Sequence, residues 1–201
     1  SLAEERIFRL SDSNPDSDQD LIPDGDEIEL GRNPRRADSD AQSIIEAQGP
    51  FADGNAGDWG FFTPLSEVDR SGDQNGPDWS DMLDMQFFVS GERLHILVHS
   101  RGQPQPTPEV FFDVLVDTDF DGYTDVEFAF MLQNPWQPWR YIYSPESSDM
   151  PYELSGGRGQ YLEMAIPLEY IPAETFRILP IIRNDGTGEN YDEWDSWIQV
   201  R

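Results

Sequence analysis

Residues 12–40 constrain the fold most, because they place acidic side chains at alternate positions and contain few large apolar ones. The densest part is the run Asp16-Ser-Asp-Gln-Asp-Leu-Ile-Pro-Asp-Gly-Asp-Glu27. Carboxylates at this spacing repel one another, and the segment lacks the apolar surface to form a core against that repulsion. We therefore expect this segment to become ordered by binding divalent cations.

The composition of the whole chain narrows the classes of partner. Among 201 residues, 40 Asp and Glu against 13 Lys and Arg give a net charge of -27. Nucleic acid and anionic membrane surfaces require a positive protein surface, so neither is an expected partner. The chain has no cysteine, which excludes disulfides and thiolate ligands and leaves oxygen ligands for a metal.

From the ends and the hydropathy of the sequence we expect an exported protein. No apolar run approaches the roughly 20 residues of a membrane-spanning helix, so direct membrane insertion is not expected. Ser1 is not followed by the charged and apolar regions of a signal peptide. We interpret the sequence as a processed or excised part of a larger multidomain protein that is secreted or displayed at the cell surface, where calcium is plentiful.

Beyond residue 48 the sequence predicts a series of short strands. Its 16 Gly and 16 Pro indicate many turns, and 37% hydrophobic residues suffice for a core. We predict an all-β, antiparallel β-sandwich of jelly-roll or immunoglobulin-like type over residues 49–201, preceded by a calcium-wrapped repeat with little regular structure over residues 1–48. The predicted strands cover 85–89, 93–99, 110–116, 126–132, 140–143, 161–166 and 176–182.

The run from Asp16 to Glu27 has the ligand spacing of a twelve-residue calcium loop. Such a loop supplies oxygens from positions 1, 3, 5, 7, 9 and 12, with a backbone carbonyl at position 7. Leu21 stands where a calcium loop prefers glycine, and Pro23 is also atypical, so we expect the geometry to differ from that of an EF-hand. The predicted ligands are Asp16, Asp18, Asp20, the Ile22 carbonyl, Asp24 and Glu27.

The flanks of this loop add Asp12-Ser-Asn-Pro-Asp16 before it and Gly31-Arg-Asn-Pro-Arg-Arg-Ala-Asp-Ser-Asp40 after it. Together the segment resembles a thrombospondin type 3 repeat, a family whose repeats wrap calcium and have little core. The resemblance implies a second ion held between the repeat ends by Asp12, Asn14, Asp38 and Asp40. The alternative is a solvated acidic linker without metal.

A second loop, Asp117-Thr-Asp-Phe-Asp-Gly-Tyr-Thr-Asp125, repeats the same spacing between two predicted strands. Gly122 lies where the turn needs it, whereas position 12 is Phe128. The last ligand would have to come from Glu127, from elsewhere or from water, so we expect a weaker site. The alternative is a hairpin held by Asx turns. The predicted ligands are Asp117, Asp119, Asp121, the Tyr123 carbonyl and Asp125.

Two short motifs mark the larger module: Asp53-Gly-Asn-Ala-Gly-Asp-Trp59 and Glu163-Met-Ala-Ile-Pro-Leu-Glu-Tyr170. With the Asp117 loop between them, residues 51–201 resemble a family 9-type carbohydrate-binding module and the related DOMON-like sandwiches. The resemblance implies a polysaccharide or glycan ligand, with a terminal sugar held between Trp79 and Trp194. Further predicted sugar contacts are Asn190, Arg183, Asp185, Trp136 and Trp139; for each tryptophan, packing in the core is the alternative.

No catalytic constellation stands out in the sequence, so we predict that the protein is not an enzyme. The leading function is a non-catalytic, calcium-binding carbohydrate-binding module that serves as a targeting or spacer region. The first alternative is a calcium-stabilised adhesion or surface-structural module that binds protein. The second is a haem-binding DOMON-like domain, in which His95 and His99 would act with Met82 or Met85.

Overall fold

The computed structural model describes residues 16–70, 72–90, 92–135, 138–143, 146–149 and 155–200. Two short helices come first, α1 (Asp24–Glu29) and α2 (Ala41–Gln48). Both are too short and too polar to span a bilayer, and the rest of the described chain adds no helix that could. The strands are β1 (Leu65–Val68), β2 (Met82–Ser90), β3 (Arg93–Ser100), β4 (Val110–Asp117), β5 (Val126–Met131), β6 (Trp139–Tyr143), β7 (Glu146–Asp149), β8 (Ser155–Arg158), β9 (Leu162–Pro167), β10 (Arg177–Asn184), β11 (Glu189–Glu193) and β12 (Ile198–Gln199).

These strands form two antiparallel sheets. One has five strands in the order β1-β2-β3-β9-β8. The other has seven, in the order β11-β10-β4-β5-β6-β7, with β12 also pairing with β10. The predicted all-β class is confirmed, whereas the finer assignment to a jelly-roll or immunoglobulin-like topology stays a prediction.

The core lies between the two sheets and follows from strict alternation along the central strands. Phe112 and Phe128 of one sheet and Ile96 of the other are fully buried in the same apolar cluster. Burying a side chain of this size stabilises the fold by roughly 1.5–3 kcal/mol. The two inner faces therefore share one core, which is the defining property of a β-sandwich.

All seven predicted strands are present, with ends shifted by a few residues. The strands that the sequence did not predict are polar or glycine-rich, as in β7, β8 and β11, exposed along their whole length, as in β1, or only two residues long, as in β12. In β8, for example, Gly156 and Gly157 lie so close to Phe130 and to the carbonyl of Ala52 that a side chain would collide. Such strands lack the apolar alternation on which the prediction rests, so their pairing is decided by neighbouring strands.

The outer face of the five-stranded sheet is covered by the segment that follows α2. A Cβ on Gly49, whose φ is +90°, would lie 2.3 Å from Nε2 of His95. Phe62 stacks on Phe88 with ring centroids 4.6 Å apart, and Trp59 meets Phe88 edge-on at 5.3 Å. This cover explains why His95 and Leu97 are buried although they point away from the core.

Candidate functional site

Acidic side chains of the first loop converge. Carboxylate oxygens of Asp16, Asp18 and Asp20 lie within 4.8 Å of one another, and so do those of Asp20, Glu27 and Asp38. Asp20 belongs to both groups, so the five side chains form one continuous cluster. The composition of this cluster would suit a metal ion with a preference for oxygen ligands.

Hydrogen bonds from the backbone close the loop around Asp16. Its two oxygens accept hydrogen bonds from the N–H groups of Gln19, at 2.8 Å, and Leu21, at 3.0 Å. Asp24 accepts two hydrogen bonds from Ser17, one from the backbone N–H at 2.8 Å and one from the hydroxyl at 2.7 Å. These bonds fix the carboxylates in place before any ion is considered.

Helix α1 carries Glu27 back toward the loop, where it is fully buried. Among the described residues neither of its carboxylate oxygens has a hydrogen-bond partner, and the same is true of Asp18. Burial raises the pKa of Glu27 to about 8, and repulsion from Asp18, Asp20 and other nearby carboxylates adds to the shift. A buried carboxylate without partners is costly, and a cation between these oxygens would remove the cost.

The two acidic residues after the loop share one counter-charge, because Arg32 forms an ion pair with Asp38, at 2.5 Å, and with Asp40, at 2.9 Å. The backbone N–H of Asp38 donates to Asp20 at 2.6 Å, which places Asp38 against the first loop. Asp40 accepts hydrogen bonds from both terminal nitrogens of Arg32, at 2.9 and 3.1 Å, and Arg32 holds the pKa of Asp40 below its usual value. Arg32 therefore joins two of the carboxylates that the predicted second ion between the repeat ends would bind, and that ion stays a prediction. Asp12 and Asn14, its other predicted ligands, lie outside the described residues.

The second loop has the same hydrogen-bond pattern as the first. Asp117 accepts from the N–H groups of Phe120, at 2.7 Å, and Gly122, at 3.0 Å. Asp125 accepts from the N–H and hydroxyl groups of Thr118, at 2.8 and 2.6 Å. Carboxylate oxygens of Asp117, Asp119 and Asp125 lie within 4.8 Å of one another. The two segments are therefore copies of one loop conformation, built on different side chains.

The two clusters differ in which carboxylate pairs with an arginine: Arg32 pairs with Asp38, outside the first loop, whereas in the second loop the first aspartate itself is paired. Arg177 forms an ion pair with the buried carboxylate of Asp117 and packs over the ring of Phe120. Burial acts to raise the pKa of Asp117, but this ion pair and the amides of Phe120 and Gly122 lower it overall. An arginine at this position competes with a metal ion for the same oxygens.

The structure gives further contacts or burial for four residues that were named as ligands or possible ligands of the two loops. Asp121 accepts a hydrogen bond from the N–H of Tyr123 at 2.8 Å, and the Tyr123 side chain is 76% exposed. Glu127 turns away from the loop, accepting hydrogen bonds from the hydroxyl of Tyr143, at 2.6 Å, and from Arg183, at 3.0 Å. The side chain of Ile22, whose carbonyl was predicted as a ligand, is fully buried.

The predicted tryptophan pair does not form an exposed sugar clamp. Trp194 is 5% exposed and belongs to the core, so its ring offers no face to a sugar. Trp79 is half-buried against the same core and meets Tyr191 edge-on, with centroids 6.3 Å apart. For these two residues packing explains the position. Trp136 lies outside the described residues.

Four other predicted sugar contacts share the outer face of the seven-stranded sheet. Arg183 forms ion pairs with Asp113, Asp185 and Glu127 and packs over Phe111, 4.9 Å from the ring centroid. Trp139 meets the same Phe111 edge-on at 5.0 Å. Asn190 lies opposite Arg183 in the β10–β11 register and donates to Glu193 at 2.8 Å. The members predicted from sequence are Arg183, Asp185, Asn190 and Trp139.

The role of Asp113 and Glu127 in positioning this face could not be predicted from the sequence. Asp113 and Glu127 lie on neighbouring strands β4 and β5, and both bond to Arg183 from β10. Burial raises the pKa of Asp113 to about 8, although the charge of Arg183 acts in the opposite direction. Their proximity depends on strand pairing between distant parts of the chain, which spacing in the sequence does not encode.

The histidine and methionine residues considered for haem ligation lie on opposite faces of one sheet. Met82 and Met85 are buried in the core between the sheets. His95 stacks on Phe88 at 5.3 Å on the outer face, and His99 is 3.0 Å from Asp84. A single haem cannot be bound by side chains that the sheet separates, so the His–Met pairing is wrong.

Comparison with known proteins gives no match: no family model fits the chain, and no curated protein or solved structure is significantly similar to it. The resemblances to a thrombospondin type 3 repeat and to a family 9-type module therefore rest on the sequence motifs alone.

Proposed function

We propose that this protein is a non-catalytic, calcium-binding β-sandwich module whose acidic first segment is ordered by calcium at the loop of residues 16–27. The observation that carries the proposal is Glu27, which is fully buried beside Asp20 and Asp38 with both carboxylate oxygens unpartnered among the described residues. Residues with this burial normally have a counter-charge.

The donor set favours calcium over other ions. Every side chain in the cluster offers carboxylate oxygen, whereas zinc and copper sites draw on nitrogen and sulfur ligands. Calcium accepts 6–8 oxygens at about 2.3–2.6 Å in irregular geometry, and a loop with several carboxylates meets that demand better than the strict octahedron of magnesium.

Calcium at this loop would act on the fold rather than on a substrate. A Cβ on Gly57, in the segment that covers the sandwich, would lie 3.0 Å from Leu21 of the loop. Leu21 therefore packs against the segment that covers the sandwich, and ordering of the loop would hold it there. This supports a structural role, such as a spacer or targeting region of a larger exported protein.

Calcium titration by calorimetry tests the proposal. Glu27→Gln removes one buried charge at nearly constant volume, and we expect it to weaken the tightest calcium site by about tenfold or more. Glu46→Gln, on the exposed surface of α2, is the matched control and should bind as the wild type does. Equal affinities for Glu27→Gln and the control would overturn the assignment.

A second candidate function, glycan binding, is favoured by the outer face of the seven-stranded sheet. Trp139, Tyr141 and Tyr143 follow one another along β6, and Tyr143 is 43% exposed. Arg183 and the half-exposed Asp185 lie on the same face. Sugars bind where aromatic rings pack against their C–H surfaces while polar groups reach their hydroxyls.

A glycan array separates this candidate from the adhesion alternative. Trp139→Ala should abolish binding to any glycan that the wild type retains, whereas Trp79→Ala should retain it, because Trp79 lies at the 69–81 loop and not on this face. A blank array for the wild-type protein would contradict glycan binding and leave the protein-binding module as the better description.

A further inference from the structure

A third acidic cluster joins parts of the chain that no calcium-loop motif connects. Carboxylate oxygens of Asp69, Asp73 and Asp195 lie within 4.8 Å of one another. Two ligands on opposite sides of one calcium ion are separated by about the same distance, given metal–oxygen bonds of about 2.3–2.6 Å. The three side chains are therefore near enough to bind a single ion.

Asp69 gives this cluster a feature that surface acids lack. It is 6% exposed, and within the described chain neither of its carboxylate oxygens has a hydrogen-bond partner. Burial raises its pKa to about 6, with repulsion from Asp73 and Asp195 adding to the shift and the nearby amides of Arg70 and Asp195 acting against it. A buried carboxylate directed at two further acids lacks a counter-charge.

Neighbouring acids are already satisfied and so do not compete for this role. Asp81 forms an ion pair with Arg101 at 2.6 Å and accepts a hydrogen bond from the N–H of Gly72 at 3.0 Å. Asp192 accepts a hydrogen bond from the N–H of Met82 at 2.6 Å. Among the described acids of this junction, the unsatisfied buried oxygens belong to Asp69, whereas Asp73 and Asp195 are exposed and leave a route for an ion and its water ligands.

The cluster lies where the two sheets meet. Asp69 directly follows β1 of the five-stranded sheet, and its N–H continues the β1–β2 pairing by donating to Leu83 at 3.0 Å. Asp195 lies in the turn between β11 and β12, which both belong to the seven-stranded sheet. Asn75 also donates across this junction, to the carbonyl of Tyr191 at 2.6 Å.

We propose that Asp69, Asp73 and Asp195 form a further divalent-cation site, for calcium, which fastens the 69–81 loop to the β11–β12 turn and so connects the edges of the two sheets. The ligands are carboxylate oxygens only, and the exposed side admits water to complete the shell. Because Asp69 is held by strand pairing, it offers the ion a ligand in a fixed position.

Equilibrium dialysis against calcium, with the bound metal counted per chain, tests the site. The double variant Asp73→Asn with Asp195→Asn should bind one calcium fewer than the wild type. Asp78→Asn, an exposed acid of the same loop outside the cluster, is the control and should bind the full number. Glu27→Gln acts on a separate site, so its result does not bear on this one.

A crystal of the wild-type protein soaked in terbium chloride gives an independent reading that does not depend on a variant folding. Anomalous density among Asp69, Asp73 and Asp195 is the expected result. Density that is confined to the loops at residues 16–27 and 117–125 would overturn the proposal, as would equal calcium counts for the double variant and Asp78→Asn.

Discussion

Leu21 and Gly122 occupy the same position in two loops of matching conformation, and both have a left-handed backbone. Their φ angles are 76° and 93°, and each N–H donates to the first aspartate of its loop at 3.0 Å. A left-handed conformation costs a residue with a side chain roughly 1–2 kcal/mol. At this position the first loop therefore contains strain that its hydrogen bonds and any bound ion must offset, whereas the second loop avoids it by having glycine there.

The first prediction separates backbone strain from side-chain collision. A Cβ on Gly122 would meet nothing within 4 Å, so Gly122→Ala should destabilise the protein through the backbone alone, by about 1 kcal/mol. Gly25 is equally open but lies in α1 with an ordinary φ, so Gly25→Ala should stabilise by about 0.5–1 kcal/mol. Urea unfolding of both variants measures the two effects. Equal effects would show that the left-handed position is not strained.

Strands with apolar alternation could be predicted from the sequence, and those decided by pairing could not. β3 alternates Leu94, Ile96 and Val98 toward the core, which the periodicity shows. The pairing of β8 depends instead on contacts of two glycines with distant residues. Helix α1 was also unforeseen, because its residues were interpreted as loop ligands although an acidic first turn suits the start of a helix.

In the candidate site, too, some contacts could be predicted from the sequence and others could not. Ligand spacing within the first loop predicted the convergence of Asp16, Asp18 and Asp20, since these residues are close in the chain. The cluster of Asp69, Asp73 and Asp195 was not predicted, because it requires two sheets to meet. Trp194 was assigned to a sugar site because a tryptophan near the end of the chain matches such a contact in sequence. Only the packing of the sandwich shows that it is buried.

The second prediction concerns Arg177, whose charge takes the place of a cation in the second loop. Arg177→Met leaves the buried Asp117 without its ion pair, so it should destabilise the protein by about 3 kcal/mol in a chelator. Calcium should recover part of this loss, because the carboxylates of Asp117, Asp119 and Asp125 are then free to bind it. Thermal unfolding with and without calcium measures the recovery.

Arg93→Met is a suitable control for this experiment, because it removes the same charge from the start of β3, on the other sheet. Its stability should change by the same amount in chelator and in calcium. A loss for Arg177→Met that calcium does not reduce would contradict the view that arginine and metal compete for the second loop.

The third prediction is a pH dependence that originates at His95. Burial lowers its pKa to about 4, with a smaller contribution from Arg93, whereas an unfolded histidine titrates near 6.5. Between these values the unfolded chain binds more protons than the folded one, so this residue's contribution to stability is present above pH 6.5 and is lost as the pH falls toward 4. At pH 5 the loss should be about 2 kcal/mol.

Replacing His95 by Gln should remove this part of the acid sensitivity while leaving the contribution of the carboxylates. The measurement is the change in the free energy of unfolding between pH 7 and pH 5, compared with that of the wild type. His99→Gln is the control, since His99 is 44% exposed on the same strand face. An unchanged pH dependence in His95→Gln would show that His95 is accessible to protons in the folded state.

The last prediction concerns what chelation does to the first segment. Its carboxylates include two, Asp18 and Glu27, whose oxygens have no partner among the described residues, so removing calcium should leave their repulsion uncompensated. Hydrogen exchange at residues 16–40 should then accelerate by about 100-fold relative to protein in calcium at a concentration 100 times the dissociation constant. The core strands β4 and β5 should keep their protection, because their stability comes from apolar burial.

The amides of Phe120 and Gly122 provide an internal comparison: they bond to Asp117, which Arg177 neutralises, so their exchange should change less than that of Gln19 and Leu21. Equal protection of residues 16–40 with and without calcium would show that metal binding and ordering are not coupled there.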